Sequence, residues 1–133
     1  MKKNKSLLIL MVIMLMSISI LPTSVFASVN KPTNIWNLST KGQYEFYGDA
    51  NVSELYTNYL LTGASSVKIS VTNNDVNTLK IKLYKNGSLF STSSVNIPAH
   101  GTTSWTVNGL SSSSNYYIKF YAPCHFEGYI KKV

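Results

Sequence analysis

The chain has 133 residues, 12 lysines, no arginine and a formal net charge of +7. Recognition of phosphates and guanine favours bidentate arginine contacts, so the missing arginine argues against a nucleic-acid partner. The sequence contains one cysteine, Cys124, which excludes an internal disulfide, so core packing must hold the fold together.

The N-terminal residues have the three parts of a secretory signal peptide. Three lysines between residues 2 and 5 precede an apolar run from Ser6 to Leu21, and Val25-Phe26-Ala27 supplies a cleavage site. We therefore predict that residues 1–27 are removed and that a bacterium secretes the protein to the extracellular space. The alternative is an uncleaved anchor. The run is shorter than the roughly 20 residues of a usual span and the cleavage site is good, so we favour cleavage. We predict no stable membrane insertion once residues 1–27 are removed.

Cleavage would leave one domain, residues 28–133, with nine lysines, five acidic residues and a net charge of +4. A lysine excess of this size suits weak attraction to anionic wall polymers or lipid headgroups. The first segment, residues 28–40, is rich in polar residues and predicts an irregular leader in which Ile35 and Trp36 pack against the domain.

After residue 40 the chain alternates between apolar and polar residues. The clearest runs are 67–72 and 79–84, in which every second residue is apolar, as in strands with one buried face. Asn86-Gly87 follows the second run and predicts a tight type I′ hairpin turn. The other predicted strands are 43–47, 56–61, 88–95, 103–107, 116–122 and 127–132. This spacing, with no convincing helix, predicts an all-β protein: a single antiparallel β-sandwich of about eight short strands.

The stretch from Leu110 to Ala122 gives the sharpest indication of the fold. Tyr116 follows Leu110 by six residues and opens an alternating strand, which is the pattern of a tyrosine corner. The pattern predicts that Tyr116 faces the core and that Tyr117 faces water. In these residues the chain resembles fibronectin type III domains.

A second resemblance covers residues 56–133. The strand sequences 66–71, 79–87, 115–120 and 127–130 are similar to those of bacterial pre-peptidase C-terminal domains, which are small secreted β-sandwiches that accompany extracellular hydrolases. The resemblance implies a non-catalytic helper or binding role. It does not extend to an aspartate that the family commonly has two residues before a tyrosine, because Thr57 stands at that position before Tyr59.

Residues suited to catalysis or metal binding are sparse. His125 is next to Cys124, but adjacent residues on a strand point to opposite faces, and His100 lies in a predicted turn. These three residues match no standard zinc spacing. Residues 73–75 offer oxygens to a calcium ion, yet Asn-Asn-Asp also forms ordinary turns. We therefore predict no enzyme activity, no cofactor and no metal site, and an enzyme built on Cys124 is a third hypothesis.

Five outward-facing residues are the candidate binding site. Tyr117 and Tyr121 flank Lys119 on the polar face of one predicted strand, and Tyr84 follows Lys82 on the polar face of another. An exposed tyrosine offers a flat apolar ring with a polar tip, which suits stacking on a sugar or packing on a protein. Two simpler explanations are the preference of tyrosine for strands and a face covered by the 28–40 leader.

We predict a secreted, non-catalytic binding module for an extracellular polysaccharide or protein, such as a wall glycan, a matrix protein or another secreted protein. The alternative function is a small secreted antibacterial or toxin-like effector, which the small size and positive charge favour. The protein is expected to be a monomer with Cys124 buried, and a dimer linked through Cys124 is the alternative.

Overall fold

The computed structural model describes residues 25–133, which form two β-sheets packed face to face. The first sheet has the strand order β1-β3-β11-β6-β9, and the second has the order β2-β5-β10-β7-β8, with β4 also paired to β10. The strands and the one helix of this part of the chain are β1 (Val25–Phe26), β2 (Asn34–Asn37), α1 (Leu38–Lys41), β3 (Tyr44–Ala50), β4 (Leu55–Tyr56), β5 (Tyr59–Thr62), β6 (Val67–Asn73), β7 (Leu79–Lys85), β8 (Ser91–Ile97), β9 (Thr102–Val107), β10 (Tyr116–Phe120) and β11 (Cys124–Lys132).

The predicted all-β sandwich is confirmed, but residues 25–133 form eleven strands instead of about eight, and the strand directions differ in part from the prediction. Most neighbouring strands are antiparallel, but β1 pairs with β3 and β2 pairs with β5 in parallel, so both sheets are mixed. These two parallel strands both come from the N-terminal part of the chain, where the sequence showed no clear alternation.

The core forms where the inner faces of the two sheets meet. Strands β6 and β7 bury every second residue, as the alternation predicted. At the centre, the rings of Phe120 and Phe126 stack with centroids 3.9 Å apart, and Phe46 lies 5.2 Å from Phe120. Phe120 belongs to the second sheet and the other two rings belong to the first, so these contacts join the layers.

The predicted strand over residues 56–61 is divided into β4 and β5 around Thr57. This threonine is fully buried. Its Oγ1 accepts a hydrogen bond from the Ile118 amide at 3.2 Å and donates one to the Tyr59 carbonyl at 3.1 Å. A hydroxyl can donate and accept together, so Thr57 satisfies backbone groups at a break that alternation alone did not indicate.

The predicted irregular leader is more regular than expected. It contains β2 and α1, and the side chain of Asn37 caps the helix by accepting a hydrogen bond from the Ser39 amide. Trp36 packs against the core as predicted, and its Nε1 donates to the Gly42 carbonyl at 3.0 Å. The predicted packing of Ile35 is wrong, because successive strand residues point to opposite sides and Ile35 is 51% exposed.

The last three residues of the predicted signal peptide belong to this fold, whereas residues 1–24 lie outside the described part of the chain. Ala27 is buried, and its amide donates to the Tyr47 carbonyl at 2.8 Å. The preceding residues, Val25 and Phe26, form β1 at the edge of the first sheet. Cleavage after Ala27 stays a prediction, and it would remove β1 from that edge.

Of two predicted turns, the tyrosine corner is present and the Asn86-Gly87 turn has a different type. The tyrosine corner is confirmed: Tyr116 is buried, and its hydroxyl accepts a hydrogen bond from the Ser111 amide at 2.9 Å. The Asn86-Gly87 turn is not type I′, because only Gly87 has a positive φ, of 84°. The β7–β8 hairpin consequently has a longer loop, and β8 begins at Ser91 instead of residue 88.

Candidate functional site

The five predicted binding residues come together on the outer face of the second sheet. The antiparallel pairing of β7 and β10 places Tyr117 opposite Tyr84 and Lys119 opposite Lys82. Tyr121 follows β10 directly, and its hydroxyl lies 3.3 Å from that of Tyr84. Two strands that are distant in sequence therefore build one continuous surface of tyrosines and lysines.

Tyr117 does not face water as predicted, because neighbouring side chains cover it on the outer face of the sheet. Its exposed fraction is only 5%. The Tyr84 ring stacks on it at a centroid distance of 5.5 Å, and the Tyr56 ring meets it edge-on at 5.9 Å. The Lys31 ammonium lies 5.9 Å from the Tyr117 ring, so the 28–40 segment covers part of this face, as the simpler explanation had it.

These side chains enclose a shallow groove of about 210 Å³ with Tyr117 at its floor. Its lining comes from the leader, from β4, from β10 and from the β7–β8 hairpin, and consists of Lys31, Tyr56, Tyr84, Ser88, Leu89, Tyr117 and Lys119. Sequence reasoning missed Lys31, Tyr56 and Leu89, because nothing in the local pattern shows that the leader and β4 approach β10. The predicted residues Lys82 and Tyr121 do not line this groove; together with Lys80 they form the adjoining surface of the same sheet face. We call the groove and this adjoining surface together the tyrosine–lysine groove.

Lys119 forms an ion pair at the edge of the groove. Its ammonium lies 2.9 Å from a carboxylate oxygen of Glu54, and 4.7 Å and 5.9 Å from the ring centroids of Tyr121 and Tyr56. The hydrogen bond to Glu54 raises the pKa of Lys119 above its ordinary value. Lys119 therefore stays positively charged throughout the physiological pH range.

Tyr121 is surrounded by three lysines. The ammonium groups of Lys80 and Lys82 lie 5.0 Å and 5.8 Å from its ring centroid, in addition to that of Lys119. Partial burial, followed by the hydrogen bond with Tyr84, raises the pKa of Tyr121. The phenol consequently stays neutral, and its ring face attracts the cations without neutralising them.

The charges are unevenly distributed between the two outer faces of the sandwich. Four lysines (31, 80, 82 and 119) and one acid, Glu54, lie around the groove on the second sheet. On the first sheet, the outward positions of β3 and β11 carry three acids, Glu45, Asp49 and Glu127. That face also carries Lys68 and Lys131, which lie opposite each other on β6 and β11. Its acids and lysines therefore nearly balance, whereas the groove side has an excess of positive charge.

A second groove, of about 350 Å³, lies on the first sheet and includes Tyr47, Asp49, His125 and Glu127. Within residues 25–133, no three histidine, cysteine, aspartate or glutamate side chains lie close enough together to hold a metal ion. A small apolar cavity of about 10 Å³ lies in the core next to Tyr116. It has room for about one water molecule and none for a substrate.

The Asn73 side chain forms hydrogen bonds with backbone groups of two neighbouring loops, and no calcium ligand set is needed to explain its position. Asn73 is fully buried; its Oδ1 accepts from the Asp75 amide at 2.9 Å, and its Nδ2 donates to the carbonyls of Asn77 and Ile97 at 2.8 and 3.1 Å. Asp75 in turn accepts from the Asn77 amide. This network agrees with a structured turn, although Asn73 itself ends β6 and is not part of the exposed loop.

Cys124 and His125 point away from each other at the start of β11. Cys124 is fully buried in the core, whereas His125 is exposed. Burial raises the pKa of the Cys124 thiol to about 11. Since the thiolate is the nucleophile, a thiol in this state is poorly suited to attack a substrate.

We expect native Cys124 to react with iodoacetamide on the order of 100-fold more slowly than in the unfolded chain at pH 8, because burial raises the thiol pKa to about 11 and so lowers the fraction of reactive thiolate. Burial of the thiol slows the reaction further. Mass spectrometry of samples labelled with and without urea measures both rates. Rapid labelling of the native protein, or a dimer in a non-reducing gel, would contradict the buried position.

The structure defines the protein as an all-β sandwich with a basic, aromatic groove on one face. No protein-family model, curated protein or solved structure matches the chain. The likeness to pre-peptidase C-terminal and fibronectin type III domains accordingly stays an expectation from sequence. Within residues 25–133, no helix has both the length and the apolar character needed to cross a membrane.

Proposed function

We propose that the protein is a secreted, non-catalytic binding module that holds an extracellular acidic polysaccharide in the tyrosine–lysine groove. The observation that carries this proposal is the shared position of aromatic rings and lysine ammonium groups around one open groove. A protein partner, such as a matrix protein or another secreted protein, is the other outcome that the experiment distinguishes.

The groove offers the two interactions that an acidic sugar chain needs. Tyrosine rings provide flat apolar surfaces with a polar tip, and the half-buried rings of Tyr56, Tyr84 and Tyr121 line or flank the groove. Lys80 and Lys82 are two residues apart on one face of β7, about 7 Å along the strand. Such spacing suits a polymer that repeats its carboxylate, sulfate or phosphate groups.

Part of the groove is positioned by contacts within the protein. Glu54 pairs with Lys119, and the rings of Tyr84 and Tyr117 stack at the floor. Immobilising a flexible side chain on binding costs about 0.5–1.5 kcal/mol. Side chains that folding has already positioned lose less conformational entropy when a ligand binds.

The double variant Lys80→Gln/Lys82→Gln tests the charge of the groove. Its affinity is measured by how strongly polygalacturonate in a native gel retards the protein. We expect its affinity for this acidic polymer to fall about tenfold, because two ammonium groups are lost. The matched control is Lys68→Gln/Lys131→Gln, which removes a facing pair of lysines from the first sheet and should change affinity less than twofold.

The ring is tested separately at Tyr121. Tyr121→Phe keeps the ring and should retain binding, whereas Tyr121→Leu removes it and should weaken binding severalfold. Equal losses from both lysine pairs would show charge attraction without a site and would contradict the proposed groove. Retention of a secreted protein but not of polygalacturonate, with the same dependence on Lys80 and Lys82, would assign the groove to a protein partner.

A further inference from the structure

The loop of the β7–β8 hairpin exposes two adjacent large apolar side chains. Leu89 and Phe90 are 90% and 83% exposed. Loops at a protein surface usually carry polar residues, and apolar side chains without a covering partner indicate an interaction site when they occur together. By comparison, Val52 and Val76 are also exposed but lie singly in other loops.

The conformation of the loop is fixed by its own hydrogen bonds. The Ser88 hydroxyl donates to the Phe90 carbonyl at 3.1 Å and accepts from the Phe90 amide at 3.3 Å. The Ser88 amide donates to the Lys85 carbonyl at 3.0 Å and closes the turn. The residues from Asn86 to Phe90 carry no charge. The loop is therefore an ordered, uncharged tip that projects two apolar side chains into solvent.

Three lysines lie close to this tip in the fold, and one of them, Lys119, is paired with Glu54. Lys85 ends β7 directly before the loop, and Leu89 lines the groove together with Lys31 and Lys119. Three of the acidic residues lie on the outer face of the other sheet. A negatively charged surface that approaches the tip would meet lysines first, with those acids on the far side of the sandwich.

We infer that the Leu89–Phe90 tip docks the protein on an anionic lipid surface. The two apolar side chains enter the boundary between headgroups and acyl chains, and the neighbouring lysines contact the anionic headgroups, as in other peripheral membrane contacts. A lipid surface fits better than a protein, because two side chains on a convex tip bury little area against a rigid partner, whereas a bilayer closes around them. The contact is reversible, since only one loop enters the lipid.

Co-sedimentation of the predicted secreted form, residues 28–133, with vesicles tests this contact, because the apolar run of residues 6–21 would itself bind lipid. We expect binding to vesicles of phosphatidylcholine with phosphatidylglycerol, and much weaker binding to phosphatidylcholine alone. Leu89→Ser/Phe90→Ser should weaken binding to the anionic vesicles about tenfold or more. The matched control Val52→Ser/Val76→Ser removes two exposed apolar side chains elsewhere and should bind like the unmodified protein.

Insertion can be separated from charge attraction by fluorescence. Phe90→Trp should shift its emission to shorter wavelength when anionic vesicles are added, while Val76→Trp should not. Unchanged vesicle binding by the tip variant, equal binding to both lipid compositions, or no vesicle binding at all would each overturn the inference. So would loss of binding to a protein partner in the tip variant without any binding to lipid.

The same variants keep this contact distinct from the proposed polysaccharide site. Phe90 does not line the groove, so Phe90→Ser should lose affinity for vesicles and keep its affinity for polygalacturonate. Lipid binding that survives Tyr121→Leu while polysaccharide binding fails would show that the two sites are independent. Failure of polygalacturonate binding in the unmodified protein would contradict the proposed function and leave the lipid result to stand by itself.

Discussion

Replacement of Asn73 by aspartate is expected to lower the free energy of unfolding by about 3–5 kcal/mol at pH 7, the cost of an uncompensated buried charge. The Asn73 amide nitrogen donates to the carbonyls of Asn77, Ile97 and Pro98. Asn73→Asp has nearly the same shape but turns a carboxylate oxygen toward these carbonyls. The carboxylate and these carbonyls would repel each other at the contact between the 73–78 loop and the connection from β8 to β9.

The loss should depend on pH with a defined sign. Burial and the facing carbonyls raise the pKa of the introduced carboxyl in the folded state above its unfolded value of about 3.9. The native state then binds more protons than the unfolded state between the two pKa values, so stability relative to the unmodified protein falls as pH rises through that interval. Near pH 4 and below, a protonated carboxyl can donate a hydrogen bond and most of the loss should disappear.

Urea denaturation at pH 7 and at about pH 4 measures both effects. The matched control is Asn74→Asp, which adds the same charge one residue along at an exposed position and should change stability by less than about 0.5 kcal/mol. Equal stability of the two variants at pH 7 would contradict the described hydrogen-bond network.

Replacement of Tyr116 by alanine should cost about 3–5 kcal/mol, as other truncations of buried aromatic side chains do. The ring is buried beside a small apolar cavity lined by Leu61, Leu83 and Ile130, and its removal would enlarge that space. Tyr116→Phe keeps the ring but leaves the Ser111 amide without its acceptor, at a cost of about 1–3 kcal/mol.

The control for the hydroxyl is Tyr129→Phe, since Tyr129 lies half-buried on the outer face of the first sheet. This change should alter stability by about 0.5 kcal/mol or less. The two unfolding free energies come from chemical denaturation monitored by circular dichroism. A Tyr116→Phe variant as stable as Tyr129→Phe would contradict a structural role for the corner hydrogen bond.

Truncation of Tyr117, the residue after the tyrosine corner, should cost more than its strand position alone predicts. From strand alternation alone, Tyr117→Ala would be mild, because Tyr117 was assigned to the water-facing side. Tyr84 and Tyr56 pack on its ring, so truncation should instead cost about 2–4 kcal/mol. Tyr117 consequently supports the groove from below, and the exposed parts of Tyr56, Tyr84 and Tyr121 are left to contact a ligand.

The sequence by itself determined the features that depend on near neighbours. A period of two decides which side chains of β6 and β7 face inward, because successive strand residues point to opposite sides. The tyrosine corner involves only residues 110–116, including the Ser111 amide that bonds the Tyr116 hydroxyl, so the local sequence was enough to predict it. The same period placed Lys82 with Tyr84, and Lys119 with Tyr121, on polar faces of their strands.

Only the tertiary structure decided which of these faces meet and what covers them. The pairing of β7 with β10 joins two polar faces into one groove, and Lys31 and Tyr56 reach it from segments more than 60 residues before Tyr117. Asn73 looked like a residue of an ordinary turn, because its partners at Ile97 and Pro98 lie in a distant connection. Burial and hydrogen bonding of this kind are set by packing between strands, which a local alternation of residues does not encode.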